Sequence, residues 1–586
     1  MLRPLVTASS ALTRHVHTAL RLAAGSAWFW YLAILSLQLK VIGGIWRYRD
    51  LSPGDTASYF VTASQWYREG RTHMALSPLY TAFYGFLISV APDAYTATTA
   101  HRVIIVLALS LLILAIMRRL LPPALAWFVT AWWVVLPIAF DSVYEVHLFA
   151  LLPLVLACLT ILCFPGPWGR GGAIGILLLS TLLLRTEHGL TAGLLAACVL
   201  AYELWRFHVN GRLPHRRAVY LWCYGLPVVA ACAVALFFHS RAHDKIPYLF
   251  DSLRAKHTLN ICQVYAFGYQ QRHPGPGPSP WLQCELLMNT TFGRPQVSLA
   301  EAIVRNPWAM TQHVAWNLGL IPSGLQVLLF NATSGRYNPD YYPVKTRSTF
   351  ALWASVALLS IYVAGLGSLH RHWQHVWTEL LRPRIWGWLT LACMVPMAVL
   401  VMLTQRPRPS YLFSFGLFLM ALAGLCVYAI THRVTRLRPS PALSAVVAVL
   451  LILSVPSYYR PAARGAPPLL VEHYRRLLPF QDTLQTPGAV LLAANFPSEL
   501  CSYIPPGPPY CTGTWYWQLR PEVRSRADWP AVMERHGINL LYADESVLAD
   551  AQRPQLLEDP AAYGWEVVAS QKVGRQWALL RRQPSR

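Results

Sequence analysis

The chain has 586 residues, 55% of them hydrophobic and only 13% charged, and its mean hydropathy is +0.36. A soluble protein of this size carries about a quarter charged residues, so a purely soluble protein is excluded and lipid must cover much of the surface. The net charge of +23 is no nucleic-acid signature, because the basic residues gather in short segments between apolar runs, as the positive-inside rule describes.

Five Lys leave 44 of the 49 basic residues as Arg. With abundant Ala, Leu and Pro, that composition suits a GC-rich bacterial genome. Residues 1–25 contain Arg, Ser and Thr but no acid, and read as a cytoplasmic N-terminal segment. The same composition suits a presequence or a signal-peptide n-region. Apolar runs near 26–46, 100–117, 122–140, 147–164, 172–184 and 188–206 read as spans, and so do those near 219–238, 350–369, 385–404, 410–430 and 441–457. That makes eleven. Basic clusters follow alternate spans: Arg118 and Arg119; Arg170; Arg206 through Arg217; Arg371 through Arg384; and Arg433, Arg436 and Arg438. All fall on the side of the N-terminus.

The stretch SPLYTAFYGFLISVAP, 77–92, is apolar but short. A full span there would carry Arg118 and Arg119 to the wrong side, so it reads as a juxtamembrane or re-entrant helix. The expected membrane domain is 26–460, with outer loops 47–99 and 239–349, the latter carrying QQRHPGPGPSP. From 461 to 586, AVLLAANF, INLLYAD, WEVVASQ and WALLRR read as strands and DWPAVMERHG as a helix, a small α/β domain on the outer face. No internal repeat of the kind transporters carry is visible.

Seven cysteines lie in spans, where a thiol behaves as a small hydrophobe. The other four, Cys262, Cys284, Cys501 and Cys511, fall in segments assigned outside. An even number in an oxidising compartment suggests two bridges; four unpaired thiols is the alternative. A Cys501–Cys511 bridge would close SYIPPGPPY into a flap beside the aromatics Tyr503, Tyr510, Trp515, Tyr516 and Trp517, and would contribute about 2–3 kcal/mol by constraining the unfolded chain.

The polar residues able to do chemistry sort to one side. They are Asp55 after the first span, FDSVYEVH with Asp141, Glu145 and His147, RTEHG with Arg185, Glu187 and His188, and TQRPRPSYLF with Arg406, Arg408 and Tyr411. Charged groups at the mouths of spans are costly unless they line a wet cavity or meet a ligand. Each has a blander reading. Taken alone, Asp55 reads as the N-cap of a helix beginning at Thr56, Asp141 and Glu145 as loop acids, the arginines as interfacial anchors, and the two His as packed side chains. No HExxH, CxxC pair or DxD motif argues for a metal.

In order, GDTASYFVTASQWYREG, SPLYTAFYGFLI, LPIAFDSVYEVHLFALLPLVL, RTEHGLTAGLL, RPRPSYLFSFGLFLMALAG and the tail's ERHGINLLYAD resemble the GT-C superfamily of membrane glycosyltransferases. The likeness is to its protein-mannosyltransferase and aminoarabinose-transferase branch, and it spans nearly the whole chain. The resemblance implies a helical membrane fold of about eleven spans with an outer α/β domain, in the bacterial cytoplasmic membrane, with its site on the periplasmic or extracellular side. It implies a polyprenyl-phosphate-linked sugar as donor and a glycan, lipid or protein as acceptor, with inversion. By resemblance Asp55 is the general base, and Arg406, Arg408 and Tyr411 hold the donor phosphate. Asp141, Glu145, Arg185, Glu187, His188 and Tyr59 orient acceptor or sugar. Many relatives carry a second acid beside the first-loop Asp, whereas Gly54 and Thr56 flank it here; a divalent metal stays open. The competing class is a transporter or flippase for a lipid-linked or anionic solute.

Overall fold

A computed structural model describes residues 25–141, 145–210, 217–242, 253–273, 275, 279–280, 283–332, 348–433, 441–460, 469–504 and 511–583. The N-terminal segment to 24, the basic stretches 211–216 and 434–440 (with Arg436 and Arg438), most of the proline-rich run at 274–282 and the tip 505–510 lie outside these residues.

In chain order the helices used below begin with α1 Ala27–Val41, α2 Asp55–Glu69, α3 Pro78–Val90, α4 Ala94–Leu120 and α5 Pro123–Val135. Next come α6 Glu145–Cys163, α7 Pro167–Leu183, α8 His188–Asn210 and α9 Leu226–Ser240. They are followed by α10 Leu253–Arg272, α11 Cys284–Phe292, α12 Leu299–Arg305 and α13 Pro307–Phe330. The last of the apolar series are α14 Thr349–Arg371, α15 Ile385–Thr404, α16 Phe413–Arg433 and α17 Pro441–Ser454. Each of the eleven apolar runs is a helix. Among the described residues, nine helical segments are long and apolar enough to cross a membrane. The chain is a multi-pass helical membrane protein.

One such segment is α13, inside 239–349, which sequence alone reads as a soluble loop. That reading needs correction: the segment holds four helices, one of them apolar enough to cross. His313, Asn317 and Gln326 are spread along α13 and dilute its hydropathy, which is why it escapes notice. A helix of its length would reach about 36 Å, enough for a bilayer. Its neighbours show that it lies across one end of the bundle instead. Asn317 donates to the carbonyl of Leu403, at the end of α15 (3.2 Å). A Cβ on Gly324 would meet the Pro407 carbonyl oxygen at 2.5 Å. Trp132, in the last turn of α5, donates to the Leu329 carbonyl (2.7 Å). Those helix ends share one side, since Trp133 packs on Phe413 with ring centroids 5.5 Å apart. Among the described residues, eight helical segments besides α13 are long and apolar enough to cross, and the remaining apolar runs form shorter helices.

Arg170 also differs from its reading as a marker of the cytoplasmic side. It is buried, with Nη2 2.5 Å from Glu203 and Nε donating to Tyr224 (3.0 Å), its guanidinium 5.2 Å above both Tyr202 and Trp386. A charge in an apolar bundle is retained when paired this way.

The chain divides into two compact units, one of residues up to 44, 73–80 and 102–460, the other of 45–72, 81–101 and 461–586. Sequence alone groups the first loop with the membrane domain. Contacts group it with the tail, because the Asp50 carboxylate accepts the backbone N–H groups of Leu469, Leu470 and Val471 at 3.0, 3.2 and 2.8 Å. Tyr503 donates to the Ser52 carbonyl (2.8 Å). The tail adds α18 Leu470–Leu477, α19 Pro497–Tyr503 and α20 Trp529–Arg535 to five strands. These are β1 Ala489–Ala493, β2 Cys511–Trp515, β3 Leu540–Ala543, β4 Trp565–Gln571 and β5 Trp577–Arg582, in the order β2-β1-β3-β5-β4. β1 runs parallel to β2 and β3, while β5 is antiparallel to β3 and β4. Tyr516 stacked on Trp529 (4.6 Å), with Leu492, Leu541 and Leu580, forms the core.

Candidate active site

Two prolines decide the local geometry in the first unit. Pro407 and Pro409 cannot continue α15, so the chain leaves the helix at Thr404, and a short 3₁₀ turn, Pro409–Leu412, leads into α16. Arg406 and Arg408 ride on that turn, only 4% and 9% exposed, with the Arg408 N–H donating to the Arg406 carbonyl (2.7 Å). Arg406 stacks on Phe267 of α10, 4.3 Å from its centroid, a cation–π contact.

Tyr411 collects the other groups. The guanidiniums of Arg185 and Arg408 lie 5.7 and 5.8 Å from its ring centroid, and His147 meets it edge-on at 5.0 Å. Arg185 Nε donates to Glu187 Oε1 (2.7 Å). Burial alone would raise the Glu187 carboxyl, but Arg185 and His188 outweigh it and hold the group below the usual carboxylate range. His188 Nδ1 sits 2.6 Å from Ser180 Oγ. Lys256, on α10, lies within electrostatic reach of His147 together with Arg185 and Arg408, and donates to the Ala75 carbonyl. Between these groups is a cavity of about 40 Å³ whose other wall is apolar, formed by Leu151, Leu154, Met397 and Val401. Ser414 also lines it, and the buried Ser414 Oγ has no hydrogen-bond partner among the described residues.

Asp141 and Glu145 belong to a different network. Arg102, 2% exposed, donates to Glu145 Oε1 through Nε (3.1 Å) and Nη2 (2.5 Å), and its Nη1 is 3.9 Å from Asp141. Tyr458 and Tyr459 donate to the two Asp141 oxygens at 3.1 and 2.8 Å. Residues two apart on a helix project to different sides, which is how Glu145 faces Arg102 while His147 faces Tyr411.

Asp55 and Tyr59 lie in the second unit, on α2. The helix begins at Asp55 and not at Thr56; its N-cap is Gly54 at φ 70°, and no side chain caps it. The N-cap reading of Asp55 therefore falls. Asp55 is an exposed carboxylate on the first helical residue, where the amide dipoles favour negative charge. The Gly54 N–H donates to Glu499 (3.0 Å), and Tyr59 is buried.

Disulfides join Cys262 to Cys284 and Cys501 to Cys511, with Cα–Cα distances of 5.5 and 5.2 Å. Among the described residues, no three His, Cys, Asp or Glu side chains converge as metal ligands. Sequence reasoning missed Arg102, Lys256 and Ser414. Lys256 had a signal: it is one of five Lys and lies in a segment the sequence assigns outside, against the positive-inside bias. Arg102 had one too, as a lone charge at the start of an apolar run. Ser414 had none.

No protein-family model and no curated protein matches the chain. Among solved structures it is similar to the archaeal oligosaccharyltransferase AglB from Archaeoglobus fulgidus in complex with an inhibitory peptide and a dolichol-phosphate, at 13% identity and TM-score 0.44, over 91% of this chain and 70% of that one. It is also similar to ArnT from Cupriavidus metallidurans bound to undecaprenyl phosphate, at 12% identity and TM-score 0.33, over 96% of this chain and 100% of that one. At such identities and scores, the functional reading rests on the site itself.

Proposed function

We propose that the chain is an inverting glycosyltransferase that moves a sugar from a polyprenyl-phosphate donor to a hydroxyl or amine of a glycan, lipid or protein acceptor. We place the reaction on the extracytoplasmic face of a bacterial cytoplasmic membrane. The observation that carries the reading is the narrow cavity lined by Arg185, Glu187, His147 and Tyr411 on one side and by an apolar wall on the other, with Arg408 against the same Tyr411 ring and Lys256 within electrostatic reach of His147. Cations beside a hydrocarbon surface match a phosphate attached to a long alkyl chain. At about 40 Å³, the space suits a few water-sized groups, such as phosphate oxygens, and not a whole substrate.

In the proposed mechanism the acceptor oxygen or nitrogen attacks the anomeric carbon from the face opposite the phosphate, and the bond from that carbon to the phosphate oxygen breaks. The phosphate gains charge as it leaves, and guanidiniums already in place stabilise it without reorganisation. The Ser414 hydroxyl adds a donor on the same side. Asp55 takes the acceptor proton, a role worth about 10²–10⁴-fold; its exposure and its freedom from a capping role support that assignment. Arg102, Asp141 and Glu145 hold the loop before α6 and so position His147.

The test is direct binding of undecaprenyl phosphate to purified full-length protein, read by native mass spectrometry. Arg408→Gln should weaken binding about tenfold or more, as expected for losing a charge-assisted hydrogen bond. Equal binding by wild type and variant would remove the phosphate-binding assignment.

A further inference from the structure

A second cavity, about 400 Å³, opens in the same unit between α10, α11, α12 and the first turns of α13, within the range of small-molecule sites. The Cys262–Cys284 bridge and a small core of its own hold α10 against α11. Thr404 and Gln405, the two residues preceding Arg406, form part of its wall. The α10 helix therefore serves both places: Lys256 turns toward His147, while its neighbour His257 lines the second cavity.

The chemistry of this lining differs from the cationic cavity. Its polar members among the described residues are His257, Asn260, Ser298, His313, Thr404 and Gln405, with no Lys, Arg, Asp or Glu. Tyr265 and Phe292 supply aromatic surface, 5.0 Å apart edge to face. His313 is 2% exposed. Its Nε2 lies 3.2 Å from the Thr404 carbonyl oxygen and 3.1 Å from the Asn317 side-chain nitrogen. Its buried Nδ1 has no hydrogen-bond partner among the described residues, and an unmet buried polar atom is costly. A lining of amides, hydroxyls and imidazoles, aromatic on one side and without net charge, suits a ligand rich in hydroxyls with apolar ring faces. The lining itself offers a phosphate or carboxylate no cation; Arg272 stands beside Tyr265, its guanidinium 6.0 Å from that ring's centroid.

We propose that this cavity binds a neutral saccharide portion of the acceptor, next to the turn that carries Arg406 and Arg408. The inference rests on the glycosyltransferase reading for the word acceptor, and on the cavity alone for the word saccharide. The two parts separate experimentally. Saturation-transfer NMR on the full-length protein in nanodiscs, with maltotriose, mannotriose and N-acetylated chitotriose as probes, should show binding of at least one. Ala300→Trp, at an exposed position on the cavity rim, and Asn260→Leu should each weaken that binding about fivefold or more. Both variants should still bind undecaprenyl phosphate as wild type does, which also shows that they fold. Failure of all three sugars to bind the wild type, or unchanged sugar binding in both variants, overturns the proposal. If sugar binding behaves as stated while Arg408→Gln leaves undecaprenyl phosphate binding intact, the saccharide site stands and the acceptor role falls.

Discussion

At the scale of single residues, charge on the outer turns was the legible part. Arg406 and Arg408 could be singled out because cations on the side assigned outside oppose the positive-inside bias, and the structure gathers Arg185 and Arg408 on Tyr411. The partner of Glu145 was not legible, because a sequence does not show that Arg102 lies across from it. Two expectations follow. Asp55→Asn keeps the shape and the helix start but cannot accept a proton, so transfer should drop by about 10²-fold or more while membrane insertion is unchanged; a rate assay in membranes checks it, and activity within about threefold of wild type would make the carboxylate dispensable. Arg102→Met removes the cation paired with buried Glu145, and removing one partner of a buried pair costs about 3–5 kcal/mol. Its thermal midpoint in detergent should fall well below that of Arg118→Met, whose guanidinium lies near the bundle surface.

Among elements, long apolar helices announced themselves and short or mixed ones did not. Pro307–Phe330 was hidden by polar residues that turn out to bond the carbonyls at the ends of other helices. The β2 strand CTGTW was hidden because its residues are all partly exposed, with no alternation to read. The α18 helix supplies a pH prediction for the tail. His473 is 2% exposed and its Nδ1 is 2.8 Å from the Tyr542 hydroxyl; burial lowers its pKa, against the opposing pull of Asp544. A histidine in the unfolded chain titrates near 6.5, so below that pH the unfolded state binds a proton that the folded state resists. Stability of the sheet should therefore fall as pH drops from about 6.5 towards 5. Hydrogen exchange at Leu540–Ala543 in the full-length protein, compared with His473→Gln, reads this. Wild-type protection should decline more steeply with acidification than the variant's, and parallel profiles would assign the pH dependence elsewhere.

For the whole molecule, the eleven apolar runs expected to cross, with Pro307–Phe330 lying along one end, predict that residues 207–217 and the C-terminus fall on opposite sides of the membrane. Reporter fusions at Arg586 and within 207–217 should therefore give opposite sidedness; agreement between them would mean that Pro307–Phe330 crosses after all. The central claim is bond cleavage at a lipid phosphate, and one measurement addresses it. The purified full-length chain is reconstituted in vesicles with polyprenyl-phosphate-linked sugars and a membrane extract as acceptor, and lipid products are followed by mass spectrometry. The account predicts release of free polyprenyl phosphate in step with sugar appearing on the acceptor, lost in both Asp55→Asn and Arg408→Gln. Intact donor appearing in the opposite leaflet, with no polyprenyl phosphate released, would contradict it and identify a lipid translocator.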